Sequence, residues 1–236
     1  MSIKSIYIIG SLRNPEIPKV GAALRAMGYD VFDDWYSAGP EADDHLRDYY
    51  RSRGMNYTQA LESYAARHVF TFDKAHLERC DAAVLVYPAG KSAHLELGYV
   101  KGMGKRALVL MDGEPERYDI MLAFADKVCF SVEQLAHWIQ PCKDHGSAGN
   151  SGGYASCKHE GRFIGKHVKA LMQRTGEQPN GRQACHRCDN PRCVEPTHLF
   201  WGSQTDNLND RKTKHAYRKL TQQQADLSST IKYLGG

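Results

Sequence analysis

Cys80-Asp81-Ala82-Ala83-Val84-Leu85-Val86-Tyr87 is the stretch on which the fold turns. It is a continuous apolar run of strand length, rich in residues that suit a buried strand. Phe72 to Arg79, immediately before it, has helical spacing. The loop Pro88-Ala89-Gly90-Lys91-Ser92 follows, and then a second helical stretch from Ala93 to Met103, capped by Gly104.

The same alternation runs outward. Upstream, Ser5 to Ile9 reads as a buried strand bounded by Gly10-Ser11, Pro18 to Met27 as a helix ending at Gly28, and Tyr29 to Phe32 as a second strand. Ala42 to Arg67 is polar with helical spacing and reads as one or two surface helices. Downstream, Ala107 to Met111 and Lys127 to Phe130 are strands, and Val132 to Ile139 a closing helix. Strands alternating with helices predict an α/β unit: a doubly wound, flavodoxin-like parallel sheet with helices on both faces. Ligands of such sheets bind at the carboxyl ends of the strands. Two polar loops lie there, Gly10-Ser11-Leu12-Arg13 and Pro88 to Ser92, and the first could cradle a phosphate.

A Gly/Ser-rich segment, Gly146 to Gly153, follows this unit, and the boundary is expected near residue 140. The expected division is a first domain over 1–140, a second over 141–220 and a polar tail over 221–236. In the second domain, Tyr154 to Cys157 and Arg162 to Ile164 predict a hairpin turning at Glu160-Gly161. Lys166 to Arg174 is a helix. Gln183 to His186 and Leu199 to Trp201 are paired strands, and Ser203 opens a helix reaching about Arg218.

Of the chain's 236 residues, 42% are hydrophobic and 25% charged, which is ordinary for a globular protein. No apolar run is long enough to span a bilayer, and the start of the sequence lacks signal-peptide features, so the expected location is the cytoplasm. Seven cysteines in that setting favour metal over disulfides. The net charge of +4 is uneven: residues 141–236 carry 15 Lys and Arg against 8 Asp and Glu, so +7, leaving −3 for the rest. The basic, cysteine-rich half is suited to a polyanion.

That half also holds the clearest chemistry. Cys188, Cys193 and His198, each separated by four residues, set two thiolates and an imidazole around a loop stiffened by Pro191 and Pro196. These ligands suit tetrahedral zinc, and Cys142 or Cys157 could supply the fourth. His186 sits two residues before Cys188, and Asn207 lies on the helix beyond. A histidine base with a hard oxygen ligand opposite is what phosphodiester hydrolysis needs: one takes a proton from water, the other holds a divalent cation on the phosphate.

His186, Cys188, Cys193, the Pro196-Thr197-His198-Leu199 run and Asn207 together resemble the HNH nucleases of the His-Me finger (ββα-metal) group, especially the zinc-containing homing endonucleases. The likeness extends from Cys142 through Gly152-Gly153-Tyr154 and His167 to about Lys214. It implies a small zinc-stapled α+β domain. In that family the zinc is structural, with an upstream cysteine as fourth ligand, for which Cys142 is the better match and Cys157 the runner-up. By the resemblance His186 would be the general base, Asn207 would bind Mg²⁺ or a similar ion, and DNA would be the partner. Many relatives have His-Arg where this chain has His167-Val168, so phosphate contact falls to Lys166 or Lys169, with Arg187 and Arg192 as further DNA-binding candidates.

The first unit resembles the nucleoside 2-deoxyribosyltransferase superfamily, and the deoxynucleoside-monophosphate N-glycosidases in particular. Ile6 to Arg13, the pair Asp73 and Asp81, and Ser92-Ala93-His94-Leu95-Glu96-Leu97-Gly98 carry the likeness, over roughly 5–139. It implies Glu96 as nucleophile on the anomeric carbon, Asp73 as a base-side or sugar-orienting acid and Tyr7 beside the nucleophile. Gly10, Ser11 and Arg13 would hold a 5′-phosphate, with Ser92 on the facing loop. The loop before Glu96 departs from the family in carrying Lys91 and Ser92.

The expected function is a metal-dependent DNA endonuclease joined to a domain that handles a deoxynucleotide or nucleoside. The alternative is an N-glycosidase or deoxyribosyltransferase whose zinc module only binds DNA. Double-strand cutting would call for two active sites, and so a homodimer.

Overall fold

A computed structural model of the chain describes residues 2–209. Helix beyond 209 and the tail over 221–236 therefore lie outside the described residues. The chain divides into two compact units, 1–141 and 142 onward. Among the described residues no helix is long and apolar enough to cross a membrane.

The first unit is built on five strands: β1 (Ser5–Ile9), β2 (Asp30–Phe32), β3 (Ala82–Val86), β4 (Arg106–Leu110) and β5 (Lys127–Cys129). All pairings are parallel, in the order β2-β1-β3-β4-β5. This is the doubly wound, flavodoxin-like order, with its switch point between β1 and β3. Alternation along the strands feeds two cores. Ile6, Ile8, Val84 and Leu108 face one, with helices α1 (Glu16–Ala26) and α6 (Val132–Trp138). Tyr7, Ile9, Leu85 and Val109 face the other, with α4 (Tyr64–Arg79) and α5 (Lys91–Gly102). Helices α2 (Ala42–Ser52) and α3 (Tyr57–Glu62) fill the long connection before α4.

Several element bounds differ from expectation. Helix α1 starts at Glu16, so Pro18 falls in its first turn, where a missing N–H costs little. Helix α4 is one 16-residue element because Ser63 caps it nine residues before Phe72, the expected start of a helix. Helix α5 starts at Lys91, which makes Lys91 and Ser92 first-turn residues. Gly10 has a packing reason: a Cβ there would lie 2.4 Å from Ile17 Cδ1, where α1 crosses β1. Asp81 marks the amino end of β3, where its Oδ2 accepts from the Lys4 and Ser5 N–H groups and the Ser5 hydroxyl. It therefore locks strand ends at the opposite edge from the loops.

In the second unit, β6 (Ser156–His159) and β7 (Arg162–Gly165) form an antiparallel hairpin. Its turn uses Glu160 at φ 46° and Gly161 at φ 80°, the backbone a tight two-residue hairpin turn requires. Helix α7 (Lys166–Thr175) follows directly and ends at Gly176 in the left-handed conformation. The second hairpin pairs β8 (Gln183–His186) with β9 (Leu199–Gly202). Leu171 of α7 and Leu199 of β9 are both about 1% exposed, and the Trp201 indole donates to Thr175 Oγ1 at 3.3 Å. A helix then begins at 204.

Candidate functional site

The long loop between β8 and β9 is closed at its base by the Arg187 N–H donating to the His198 carbonyl at 2.8 Å. It gathers Cys188, Cys193 and His198, and the segment that opens the unit supplies Cys142. Backbone bonds hold that segment in place: His145 N–H donates to Arg192 O at 2.9 Å, and Val194 N–H to Lys143 O at 2.7 Å. The four ligand atoms lie within 4.8 Å of one another. His198 Nδ1 is 3.5 Å from Cys142 Sγ and 3.4 Å from Cys193 Sγ. Zinc–sulfur bonds of about 2.3 Å and zinc–nitrogen bonds of about 2.0 Å, tetrahedrally arranged, require an S···N separation of about 3.5 Å. The set therefore fits a zinc ion, and its fourth member is Cys142. Cys157 sits on β6, outside it.

The Cys188 thiol donates to Cys193, which drives the Cys193 pKa down and the Cys188 pKa up. Burial, then the Cys193 charge, raises Cys142. A cation would take the place of these protons.

His186 ends β8. Its Nε2 lies 2.8 Å from the Cys193 carbonyl oxygen, which can only accept, so Nε2 carries a proton and in the neutral ring the lone pair is on Nδ1. Two rings flank it: His167 of α7 at 5.2 Å between centroids, and Tyr154 at 5.8 Å. Burial, then the charges of His186 and His145, lower the His167 pKa to about 4. His145 is itself buried and donates from Nε2 to Gly153 O at 2.8 Å, while its Nδ1 accepts from Ser147 N–H.

Asn207 is exposed, and its amide donates to Gln183 Oε1 at 3.0 Å. Gln183 is three residues before His186 on β8, and side chains alternate along a strand. The partner that the structure gives Asn207 is thus Gln183, on the same strand as His186.

The four basic candidates divide. Arg192 forms a two-bond pair with Asp144, at 2.6 and 2.9 Å, and also donates to Ser147 O. Lys166 donates to His145 O at 2.9 Å and Ser147 Oγ at 2.6 Å. Both are therefore engaged in holding the 142–148 segment. Arg187 lies over the Phe200 ring at 4.5 Å. Lys169 lines an open cleft with Lys143, Gln173 and Arg174.

In the first unit the structure brings together Glu96 of α5, Asp73 of α4 and Tyr7 of β1. Burial, then the Asp73 charge, raises the Glu96 carboxyl to about 7. Burial also raises Asp73, against the pull of His76. Tyr7, 2% exposed, has its hydroxyl pKa pushed far up by burial, then by Glu96 and Asp73. Ser11 and Arg13 have other partners: Ser11 Oγ accepts from the Arg13 N–H, and the guanidinium pairs with Asp44 at 2.6 Å. Ser92 is exposed in the first turn of α5.

Two histidines not singled out from the sequence flank this cluster's elements. His76 stacks on Phe32 at 3.7 Å. His94 donates from Nδ1 to Gly90 O at 2.8 Å and accepts the Tyr87 hydroxyl at 2.6 Å. His94 falls within the Ser92–Gly98 motif, which was the only sequence signal for it.

A family model described as HNH endonuclease matches residues 165–209. Protein 7.7 of Escherichia phage T7 is 33% identical over 76 residues, 32% of this chain, and the chain spans 58% of that protein's length. Two solved structures resemble part of the chain. One is a 2-deoxyribosyltransferase from Bacillus psychrosaccharolyticus, with 18% identity, 56% of this chain and 89% of that one covered, and a TM-score of 0.41. The other is the CMP N-glycosidase of Clostridium botulinum, with 13% identity, 56% and 95% covered, and a TM-score of 0.36.

Proposed function

We propose that the second unit is a metal-dependent endonuclease that hydrolyses DNA phosphodiester bonds, with His186 as general base. The observation that carries this reading is the position of His186 within the matched HNH segment, with its free Nδ1 set by the bond from Nε2 to the zinc-loop carbonyl of Cys193. Cys142, Cys188, Cys193 and His198 would hold zinc as scaffold, since four protein ligands leave no open position for chemistry.

His186 Nδ1 takes a proton from water, and the resulting hydroxide attacks phosphorus. The Nε2–H bond stabilises the imidazolium that forms. Asn207 supplies a hard amide oxygen, with its NH₂ already committed to Gln183. Asn207 would hold a divalent cation such as Mg²⁺, which would supply charge neutralisation for the departing O3′. Lys169 and Arg187 remain as DNA contacts, whereas Arg192 and Lys166 serve the fold. A reducing compartment such as the cytoplasm suits the reading, because thiolates must stay reduced to bind zinc. Double-strand cutting would take two such sites, from a homodimer. Plasmid nicking with Mg²⁺, wild type against His186→Ala, tests the proposal.

A second reading adds a deoxynucleotide or nucleoside N-glycosidase or deoxyribosyltransferase activity in the first unit. The cluster of Glu96, Asp73 and Tyr7 supports it, because a buried carboxylate titrating near neutrality suits a nucleophile. Release of free base from deoxynucleotides, lost in Glu96→Ala, tests it.

A further inference from the structure

Among the described residues His186 has one polar anchor, the Cys193 carbonyl. One hydrogen bond at one corner of an imidazole leaves the ring free to swing about its Cβ–Cγ bond. The surroundings remove that freedom. The His167 ring lies 5.2 Å from the His186 ring at 37°, and the Tyr154 ring 5.8 Å away at 47°. Tyr154 and His167 also touch each other, at 5.1 Å and 50°. The three rings form a closed triangle from three separate places in the sequence: the glycine-rich segment, the start of α7 and the end of β8.

A second observation shows that room has been made for this triangle. Gly165 precedes α7 with φ −60° and ψ 140°, a backbone open to any residue. Conformation therefore does not demand glycine. Space does: a Cβ at Gly165 would lie 2.6 Å from Cε1 and 2.9 Å from Nδ1 of His167. The His167 ring folds back over the first turn of its own helix, into the volume that a side chain at 165 would fill.

We infer that Gly165, His167 and Tyr154 form a holding device for the general base, in which His167 is a positioning residue that fixes the ring plane of His186. The inference rests on the nuclease reading of that site. His167 is not one of the four groups of the metal cluster and needs no chemistry of its own. What it supplies is a flat ring, so an aromatic ring without nitrogen atoms should replace it.

Three variants test this, each checked for zinc content and folding: His167→Ala, His167→Phe and Gly165→Ala. A misplaced base costs ~10- to 100-fold in turnover. The expected result is a fall of that size in kcat for Mg²⁺-dependent nicking by His167→Ala, with KM unchanged. His167→Phe should restore most of it. Gly165→Ala, which keeps all three rings but displaces one, should reproduce the loss. Wild-type kcat in His167→Ala, or equal losses in His167→Ala and His167→Phe, would overturn the inference. Side-chain ¹⁵N NMR of His186 gives a readout that does not depend on cleavage. Wild type and His167→Phe should show one tautomer with the proton on Nε2, and His167→Ala an averaged ring; identical spectra in all three would also overturn it. Nicking that survives His186→Ala overturns the nuclease reading instead, so the two failures are distinct.

Discussion

His186 donates from Nε2 to the carbonyl oxygen of Cys193 at 2.8 Å, and Cys193 is also one of the four groups gathered in the metal cluster. The proposed scaffold and the proposed base are therefore one hydrogen bond apart. The Cys193 carbonyl is where the loop puts it only while the loop keeps its shape, and the loop is held by its ligands. On the proposed reading, removing zinc should thus abolish nicking even though zinc would serve only as scaffold. We expect about one zinc per chain, and loss of both zinc and nicking in Cys142→Ser. Cys157→Ser, outside the cluster, should retain zinc. Metal analysis beside the nicking assay checks this.

Asn207 and Gln183 pose a sharper question, since their side chains bond each other. If Asn207 holds the catalytic cation, Asn207→Ala should lower kcat by at least ~100-fold. Asn207→Asp should keep part of the activity because an oxygen ligand remains. Gln183→Ala should cost far less. Equal losses from Asn207→Ala and Gln183→Ala would mean that Asn207 only braces the hairpin.

His167 gives the second unit an acid-side weakness. Its pKa is lowered from 6.5 to about 4, so the folded state favours the neutral ring. The stability it contributes is complete above 6.5, and it is lost as pH falls toward 4 while the unfolded chain takes up a proton. Relative to wild type, His167→Phe should gain stability between pH 7 and pH 4.5, which urea unfolding at the two pH values measures.

Glu96 runs the other way. Its carboxyl is raised from 4.5 to about 7, so its ionisation costs stability as pH rises through that window. Glu96→Gln should therefore stabilise the first unit at pH 8 but not at pH 4. A nucleophile must be ionised, so release of base from a deoxynucleotide should fall about tenfold per pH unit below 7. A flat profile from pH 5 to pH 8 would detach Glu96 from the chemistry.

The Cys188, Cys193 and His198 ligand set was legible in the sequence because local spacing fixes it: a short loop leaves its ligands nowhere else to converge. The strand Ala82–Val86, inside the expected Cys80–Tyr87 stretch, was legible because a continuous apolar run has one comfortable place, inside a covered sheet. The turn at Glu160-Gly161 was legible for a similar local reason. What the sequence did not show is who meets whom across distance. The charges of Arg192 and Lys166 read as DNA contacts, because composition says nothing of Asp144 or His145 O as partners. The same holds for Arg13, whose guanidinium meets Asp44 thirty-one residues on. The ring triangle of Tyr154, His167 and His186 joins three separate segments, and only tertiary packing assembles it.

The most direct test is the rate of supercoiled plasmid nicking in Mg²⁺ by wild type and His186→Ala, both loaded with about one zinc per chain. Loss of a general base predicts a fall of ~10²- to 10⁴-fold, with zinc content unchanged. Nicking by zinc-loaded His186→Ala at the wild-type rate would contradict the account.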